Sequence, residues 1–285
     1  MTITAKMVSE LREKTGAGMM DCKKALEAAG GDLDGAIDHL RRAGMRSAAK
    51  KASRETAEGR VFSNLAEDAR RGHLVGLACE TDFLSSSEGF LGFVEKLART
   101  VQACDPDGVS EGERALLVQD FEDGGNVQTA IQGAVGQFGE NIQVAQFVRM
   151  ENAEGRVGVY IHHDKKQGAI VSVTTGADAE KAASVLKSLC QHIVVFPADY
   201  LNRDEVPGEA LDREREVIAQ SEEVKSKPEN IRGKIVEGKL NRFYSERCLV
   251  DQPWIHDDKQ SVGKFLEKAL GAGTRIESFS RVKLG

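Results

Sequence analysis

Two short segments carry side chains whose type and spacing invite a chemical reading. In the first, Cys79-Glu80-Thr81-Asp82-Phe83-Leu84 follows an apolar run and precedes Ser85-x-x-Glu88, a capping-box pattern for a helix start. Thr81 to Leu84 thus read as a loop between a buried strand and a capped helix, where a rigid scaffold can hold a side chain outward. Phe83 is the candidate to be presented; the alternative is that it packs under its own helix, as most phenylalanines do. In the second, Tyr160-Ile161-His162-His163 offers two imidazoles, but no further ligands are spaced to complete a metal site. Bond-making chemistry finds little support: there is no GxxxxGK[ST] phosphate loop and no nucleophile with a recognisable base. Cys22, Cys79, Cys104, Cys190 and Cys248 are scattered with no CxxC, which argues against a disulfide framework and for free thiols in a reducing compartment. The expectation is a cytoplasmic protein that is not an enzyme, holds no cofactor or metal, and acts by contact.

These segments sit in a chain whose periodicity changes three times. Residues 1–54 read as a three-helix bundle and linker: Met7, Val8 and Leu11 stripe the first helix, and Met19, Cys22, Leu26 and Ala29 line the second. Asp32 caps a third carrying Leu33, Ala36, Ile37 and Leu40. Arg41, Arg42, Arg46, Lys50, Lys51 and Arg54 extend it, so residues 1–54 carry a net +4 and the remainder −10 within a total of −6. That asymmetry fits a basic module facing an acidic partner, or simply a solvated face.

From residue 55 an internal repeat appears. Gly59-Arg60-Val61 recurs as Gly155-Arg156-Val157, and Gly72-His73-Leu74-Val75 is matched by Gly168-Ala169-Ile170-Val171, both at an offset of 96 residues. A constant offset predicts a duplicated strand, turn, strand, helix unit. Its helices carry Phe90, Phe93, Val94, Leu97 and Val101 in one copy and Ala182, Val185, Leu186, Leu189 and Ile193 in the other. Residues 110–137 read as helical, and Ile142, Val144 and Phe147 as a strand. Seven-residue spacings at Ala210, Val217, Val224 and at Leu211, Ile218, with a turn at Ser226-Lys227-Pro228-Glu229, predict an antiparallel helical hairpin. A helix near Ser261 to Leu270 and a strand near Thr274 to Leu284 complete the second sheet. The fold class is α+β, divided as 1–54 bundle and linker, 55–150 first core unit, 151–206 second core unit, 207–243 hairpin and 244–285 completion of the second unit.

The run Leu11-Arg12-Glu13-Lys14-Thr15-Gly16-Ala17-Gly18-Met19-Met20-Asp21-Cys22-Lys23-Lys24-Ala25-Leu26 closely resembles the amino-terminal signature of the elongation factor Ts family, and Cys79 to Leu84 resembles its second signature, an acid or amide and Thr-Asp-Phe-Val after a Cys. The order of modules resembles the family along the whole chain, implying that the bundle is ubiquitin-associated-like and the hairpin a coiled coil. Departures are Gly76 and Ala78 before the Cys, Leu84 for Val, and Phe138 in Phe138-Gly139-Glu140-Asn141, where the family usually begins with Ile. Many members also continue beyond the equivalent of Gly285 into a helix that touches the partner.

The resemblance implies a bacterial guanine-nucleotide exchange factor of translation elongation. It binds elongation factor Tu, GDP-bound and nucleotide-free, and releases GDP by disturbing the magnesium and phosphate site with Thr81, Asp82, Phe83 and Leu84. Further contacts carry over to Arg12, Met19, Met20, Lys23, Lys51, Phe138, Gly139 and His162. No nucleic acid or membrane contact is implied, and a homodimer through the hairpin stays open. The competing reading is an RNA-binding or chaperone-like adaptor using Arg41 to Arg54. At the repeat offset Thr81-Asp82-Phe83 falls on Ala177-Asp178-Ala179: the acid recurs, as expected of a residue favoured at a helix start, and the aromatic does not.

Overall fold

The computed structural model describes residues 2–285 and shows an α+β protein of helices and small antiparallel sheets. The chain opens with α1 (Ala5–Thr15), α2 (Met19–Ala28) and α3 (Leu33–Lys51). Side-chain oxygens of Thr4 and Asp32 accept from Met7 N and Gly35 N, satisfying amides that α1 and α3 leave free. Val8, Leu11, Cys22, Ala25, Leu26 and Ala36 make one buried cluster. Met19 was expected to line α2, but its side chain is 61% exposed. As the first residue of α2 it lies beyond the Cys22, Ala25, Leu26 face that meets the other helices.

Next come β1 (Glu58–Leu65), β2 (Arg71–Cys79), the single turn α4 (Asp82–Ser85), α5 (Glu88–Cys104), α6 (Val127–Phe138) and β3 (Ile142–Glu151), giving a sheet of order β1-β2-β3. Two expectations change here. Ser85 does not start α5: it closes α4, its Oγ donating to Asp82 O at 3.1 Å, and Ser87 caps α5 by accepting from Phe90 N. Residues 105–126 are loop with one short 3-10 turn at Leu116–Val118, not helix; Leu116 and Phe121 pin this loop to the core behind the sheet.

The second sheet, β4 (Gly155–Ile161), β5 (Gln167–Thr174) and the last strand, carries α7 (Ala179–Val195). The hairpin follows as α8 (Gly208–Gln220), the turn α9 (Glu222–Lys225) and α10 (Glu229–Arg247). Its small core is Ile218, Val224 and Leu240 with Ile235, Val236 and Tyr244 at the edge. Val217, expected on the apolar seam, is 61% exposed, because its neighbour Ile218 takes the inward position. A minor ribbon of β6 (Pro253–Trp254) and β7 (Asp257–Ser261), then α11 (Val262–Leu270), precede β8 (Arg275–Lys283), which pairs with β5.

The two sheets lie face to face. Val61, Leu74, Ala78 and Met150 of the first share a buried cluster with Val157, Ile170 and Val282 of the second, while α5 and α7 cover the outer faces. β2 and β5 are buried on both faces, which is why they read as continuous apolar runs. The 96-residue offset recurs in geometric detail. The register shifts between Gly76 and Leu77 in β2 and between Ser172 and Val173 in β5. Val61 N donates to Lys165 O and Val157 N to Ala69 O, and both acceptors hold positive φ, 60° and 53°. A Cβ on Gly59 would strike the Leu77 carbonyl, and one on Gly155 the Val173 carbonyl. The bundle rests on the first sheet's side, where α3 crosses α6 so closely that a Cβ on Gly136 would lie 2.9 Å from Gly44 Cα.

Candidate partner-binding site

β2 delivers the chain to the Thr81 loop from a buried strand. Cys79 is fully buried beneath it, its Sγ donating to Thr81 O at 3.3 Å. Burial, with the nearby Glu140 carboxylate, pushes this thiol up to about 12, so it is a packing group and not a nucleophile. Gly76 and Ala78, small where the resemblance suggests larger polar residues, face the second sheet: Ala78 lies in the cluster shared by both sheets, and a Cβ on Gly76 would already meet Leu284 and Val282 at 3.1 Å.

Thr81 then caps α4, its Oγ1 accepting from Leu84 N at 3.2 Å. Asp82 is the first residue of the turn, exposed, its Oδ1 accepting from Phe83 N at 2.9 Å. Its counterpart Asp178 is itself the cap of α7, accepting from Lys181 N at 2.8 Å. Both acids therefore serve helix starts, one position apart. The turn sorts the next two side chains in opposite directions: Phe83 is 86% exposed and Leu84 is 8% exposed, packed with Phe90, Val94 and Leu97. Phe83 does not pack under its own helix.

The turn after α6 meets this loop. Gly139 ends α6 in the left-handed region at φ 78°, and Phe138 packs half-buried against the core with its ring over Gly89. Glu140 Oε2 accepts from Glu80 N at 3.1 Å and Thr81 N at 2.9 Å, and its Oε1 accepts from Thr81 Oγ1 at 2.5 Å. Glu80 returns the contact, its Oε1 accepting from Asn141 N at 2.6 Å. Buried Asn141 donates Nδ2 to Arg54 O at 2.9 Å, and Arg54 Nη1 lies 3.4 Å from Glu80 Oε1. Sequence reasoning singled out Phe138 and Gly139 but missed Glu80, Glu140, Asn141 and Arg54; the signal was an acid in each of the two segments, Glu80 and Glu140.

The other candidates lie on the bundle and the second sheet. Arg12, Met20 and Lys23 are exposed, Met20 to 61% like Met19, and Lys23 is 3.9 Å from Glu27. Lys51 ends α3, half-buried. The bundle also meets α6 where the Gln137 side chain lies against Gly16, which brings it onto the helix carrying Phe138. His162 occupies the β4–β5 turn, half-buried, Nδ1 3.3 Å from Tyr160 Oη, its ring 4.2 Å from that of His163. No group of three or more His, Cys, Asp or Glu among the described residues is placed to hold a metal ion, and no described helix is long and apolar enough to cross a membrane.

Two buried histidines lie elsewhere. His73 is pushed down by burial and sits 3.2 Å from Asp105 Oδ1. Burial alone would raise Asp105, but hydrogen bonds from Arg149, with the Arg149 and Arg71 charges, outweigh it and hold the carboxyl below the usual range. His192, also pushed down by burial, bonds Gln252 Oε1 at 2.9 Å and stacks on Trp254. Both networks brace the outer sides of the sheets.

A protein-family model described as Elongation factor TS matches residues 80–285. The chain is 40% identical over its whole length to the elongation factor Ts of Thioalkalivibrio sulfidiphilus, covering 93% of that protein. It is 40% identical over 99% of its length to that of Symbiobacterium thermophilum, covering 92%, and 37% identical over its whole length to that of Halothermothrix orenii, covering 93%.

Proposed function

The chain belongs to the elongation factor Ts family, and from that premise we propose that it is the guanine-nucleotide exchange factor of elongation factor Tu in bacterial translation elongation. The observation that carries the mechanism is Phe83: an aromatic ring 86% exposed at the head of a turn whose next residue is anchored in the core. A large apolar side chain held in water has no structural duty and suits a partner's cleft. Phe83 enters the partner beside its magnesium site, with Asp82 at the rim, and displaces groups that hold metal and phosphate. Magnesium demands near-ideal octahedral coordination, so a small displacement weakens GDP, tenfold for each ~1.4 kcal/mol. Linkage makes the effect reciprocal: bound GDP weakens the factor's grip by the same ratio, and incoming nucleotide expels it.

No bond is made or broken in this cycle, which needs no cofactor and takes place in the cytoplasm. Met19, Met20, Lys23 and Arg12 form a second contact on the bundle, their adaptable thioethers and screened cations suiting a mixed surface. Lys51, Phe138, Gly139 and His162 extend the footprint. The same premise supports reading the bundle as ubiquitin-associated-like, the hairpin as a coiled coil, and the divisions 1–54, 55–150, 151–206, 207–243 and 244–285 as modules. The test is stopped-flow release of fluorescent GDP from elongation factor Tu with and without this protein. Acceleration at micromolar factor is expected, and its absence would overturn the reading.

A further inference from the structure

A helix of four residues does not hold itself in place. α4 has three short-range main-chain bonds, Ser85 N to Thr81 O and Ser86 N to Asp82 O, both 3.1 Å, and Ser87 N to Leu84 O at 2.9 Å, and a single turn fixes several dihedrals for each bond gained. Phe83, so largely exposed, contributes almost no packing that would fix its direction. What aims the ring must therefore be what anchors the turn: one of its own side chains packed into the core, and two side chains that reach it from outside. Leu84 anchors the inner face. Arg60, on β1, donates Nε to Ser85 O at 2.8 Å and Nη2 to Ser86 Oγ at 3.2 Å, closing the end of the turn.

Glu140 grips the start. It takes both main-chain amides that lead into the turn and the hydroxyl that caps it, three bonds on one carboxylate, and charge-assisted bonds of this kind are the strong ones. Its own place is fixed by the left-handed Gly139 before it and by Asn141 after it, which bonds both Glu80 and the Arg54 carbonyl. We propose that Glu140 is a positioning residue for nucleotide exchange, holding the start of α4 so that Phe83 points one way before the partner arrives. This rests on the exchange reading above. An interface residue already ordered in the free protein loses less on binding than one that must be ordered there. The clamp also ties the turn to the linker after α3, since Arg54 reaches Glu80 and Asn141 reaches Arg54.

The test uses the full chain with elongation factor Tu carrying fluorescent GDP, and the variants Glu140→Ala, Glu140→Gln, Phe83→Ala and Glu140→Ala with Phe83→Ala. Glu140→Ala is expected to lower kcat/KM for GDP release about tenfold through lost preorganisation. Glu140→Gln keeps most of it, because the amide oxygen can take both main-chain N–H groups while the NH2 faces the Thr81 hydroxyl. In the Phe83→Ala background Glu140→Ala has no further effect, the signature of one residue acting through another. Amide hydrogen exchange at Thr81 to Leu84 quickens in Glu140→Ala while exchange in the core strands β2 and β5 stays slow, a readout that does not involve the partner. Thr81→Val, which loses both the cap and the bond to Glu140, repeats the pattern should Glu140→Ala fold poorly. A wild-type kcat/KM for Glu140→Ala, losses that multiply in full with Phe83→Ala, or unchanged amide exchange would each overturn the role of Glu140. If the unaltered protein releases no GDP, the exchange reading falls and this role with it; normal release by protein and variant alike sinks only Glu140.

Discussion

Phe83→Ala should separate function from folding. The residue is 86% exposed, so about one-seventh of it is covered in the free protein. For an aromatic of ~200 Å², that is roughly 30 Å² of apolar contact, about 0.7 kcal/mol at ~25 cal/mol per Å². In a chain of this size so small a loss moves Tm by about 2 °C at most. As the anchor proposed above, the same ring is expected to cost at least about 2 kcal/mol of binding when truncated, roughly a 30-fold loss. The assay pairs a thermal melt with stopped-flow GDP release across a range of factor concentrations, comparing kcat/KM of the two proteins. A drop in Tm of several degrees would show that the ring packs on the protein itself. Exchange within threefold of the unaltered chain would refute the wedge outright.

Leu84→Ala should cost stability where Phe83→Ala does not: its side chain lies in the buried cluster with Phe90, Val94 and Leu97, and urea unfolding should show a loss of about 2–4 kcal/mol. Gly59→Ala and Gly155→Ala should both destabilise, since each new Cβ meets a β-strand carbonyl; a melting temperature unchanged in either would contradict the close approach. His73 and His192 both titrate below their ordinary value when folded, so the unfolded chain binds more protons, and stability is lost as the pH falls through the range below about 6.5. Urea midpoints at pH 7 and pH 5.5 should differ accordingly, and equal midpoints would argue against neutral buried imidazoles. Asp105, held low, adds stability that is present above its unfolded value and lost only as the pH falls through the folded one, in the acid range. Of the five thiols only Cys104 is part-exposed, so a thiol reagent at pH 8 should label it first and leave Cys79, pushed up to about 12, untouched until unfolding.

The strands and the main helices were legible because their physics is local. An apolar run such as Leu74 to Ala78 reads as a strand buried on both faces, and Phe90, Val94, Leu97 and Val101 read as one helix stripe; both stand in the structure. Where the signal was weaker than its surroundings, reading failed. Residues 105–126 contain enough apolar groups to suggest helix, yet Leu116 and Phe121 are drawn singly onto the core and the chain between follows no period. Ser85 and Ser87 are both competent caps, and the choice fell to Ser87 because Thr81 had already started a turn that Ser85 closes. A capping pattern names residues able to cap; the neighbouring turn decides which one does.

The site divides along the same line. Phe83 was nominated by its loop position together with the family resemblance, since residue type alone favours a phenylalanine packed under its own helix; its exposure follows from Leu84 taking the core position beside it. What holds the loop was not legible, because Glu80 and Glu140 stand 60 residues apart and nothing in either segment says that the two meet. Two acids facing each other across a loop would ordinarily repel; here each carboxylate is turned onto the other segment's main-chain amides, Glu140 onto Glu80 and Thr81, Glu80 onto Asn141. The residues that aim the ring are thus fixed by backbone geometry that arises only once β3, which follows α6, is paired with β2. A contact residue can be found from its own side chain, whereas the residues that orient it are defined by the fold, and that is why Glu140 emerges from the structure while Phe83 could be nominated beforehand.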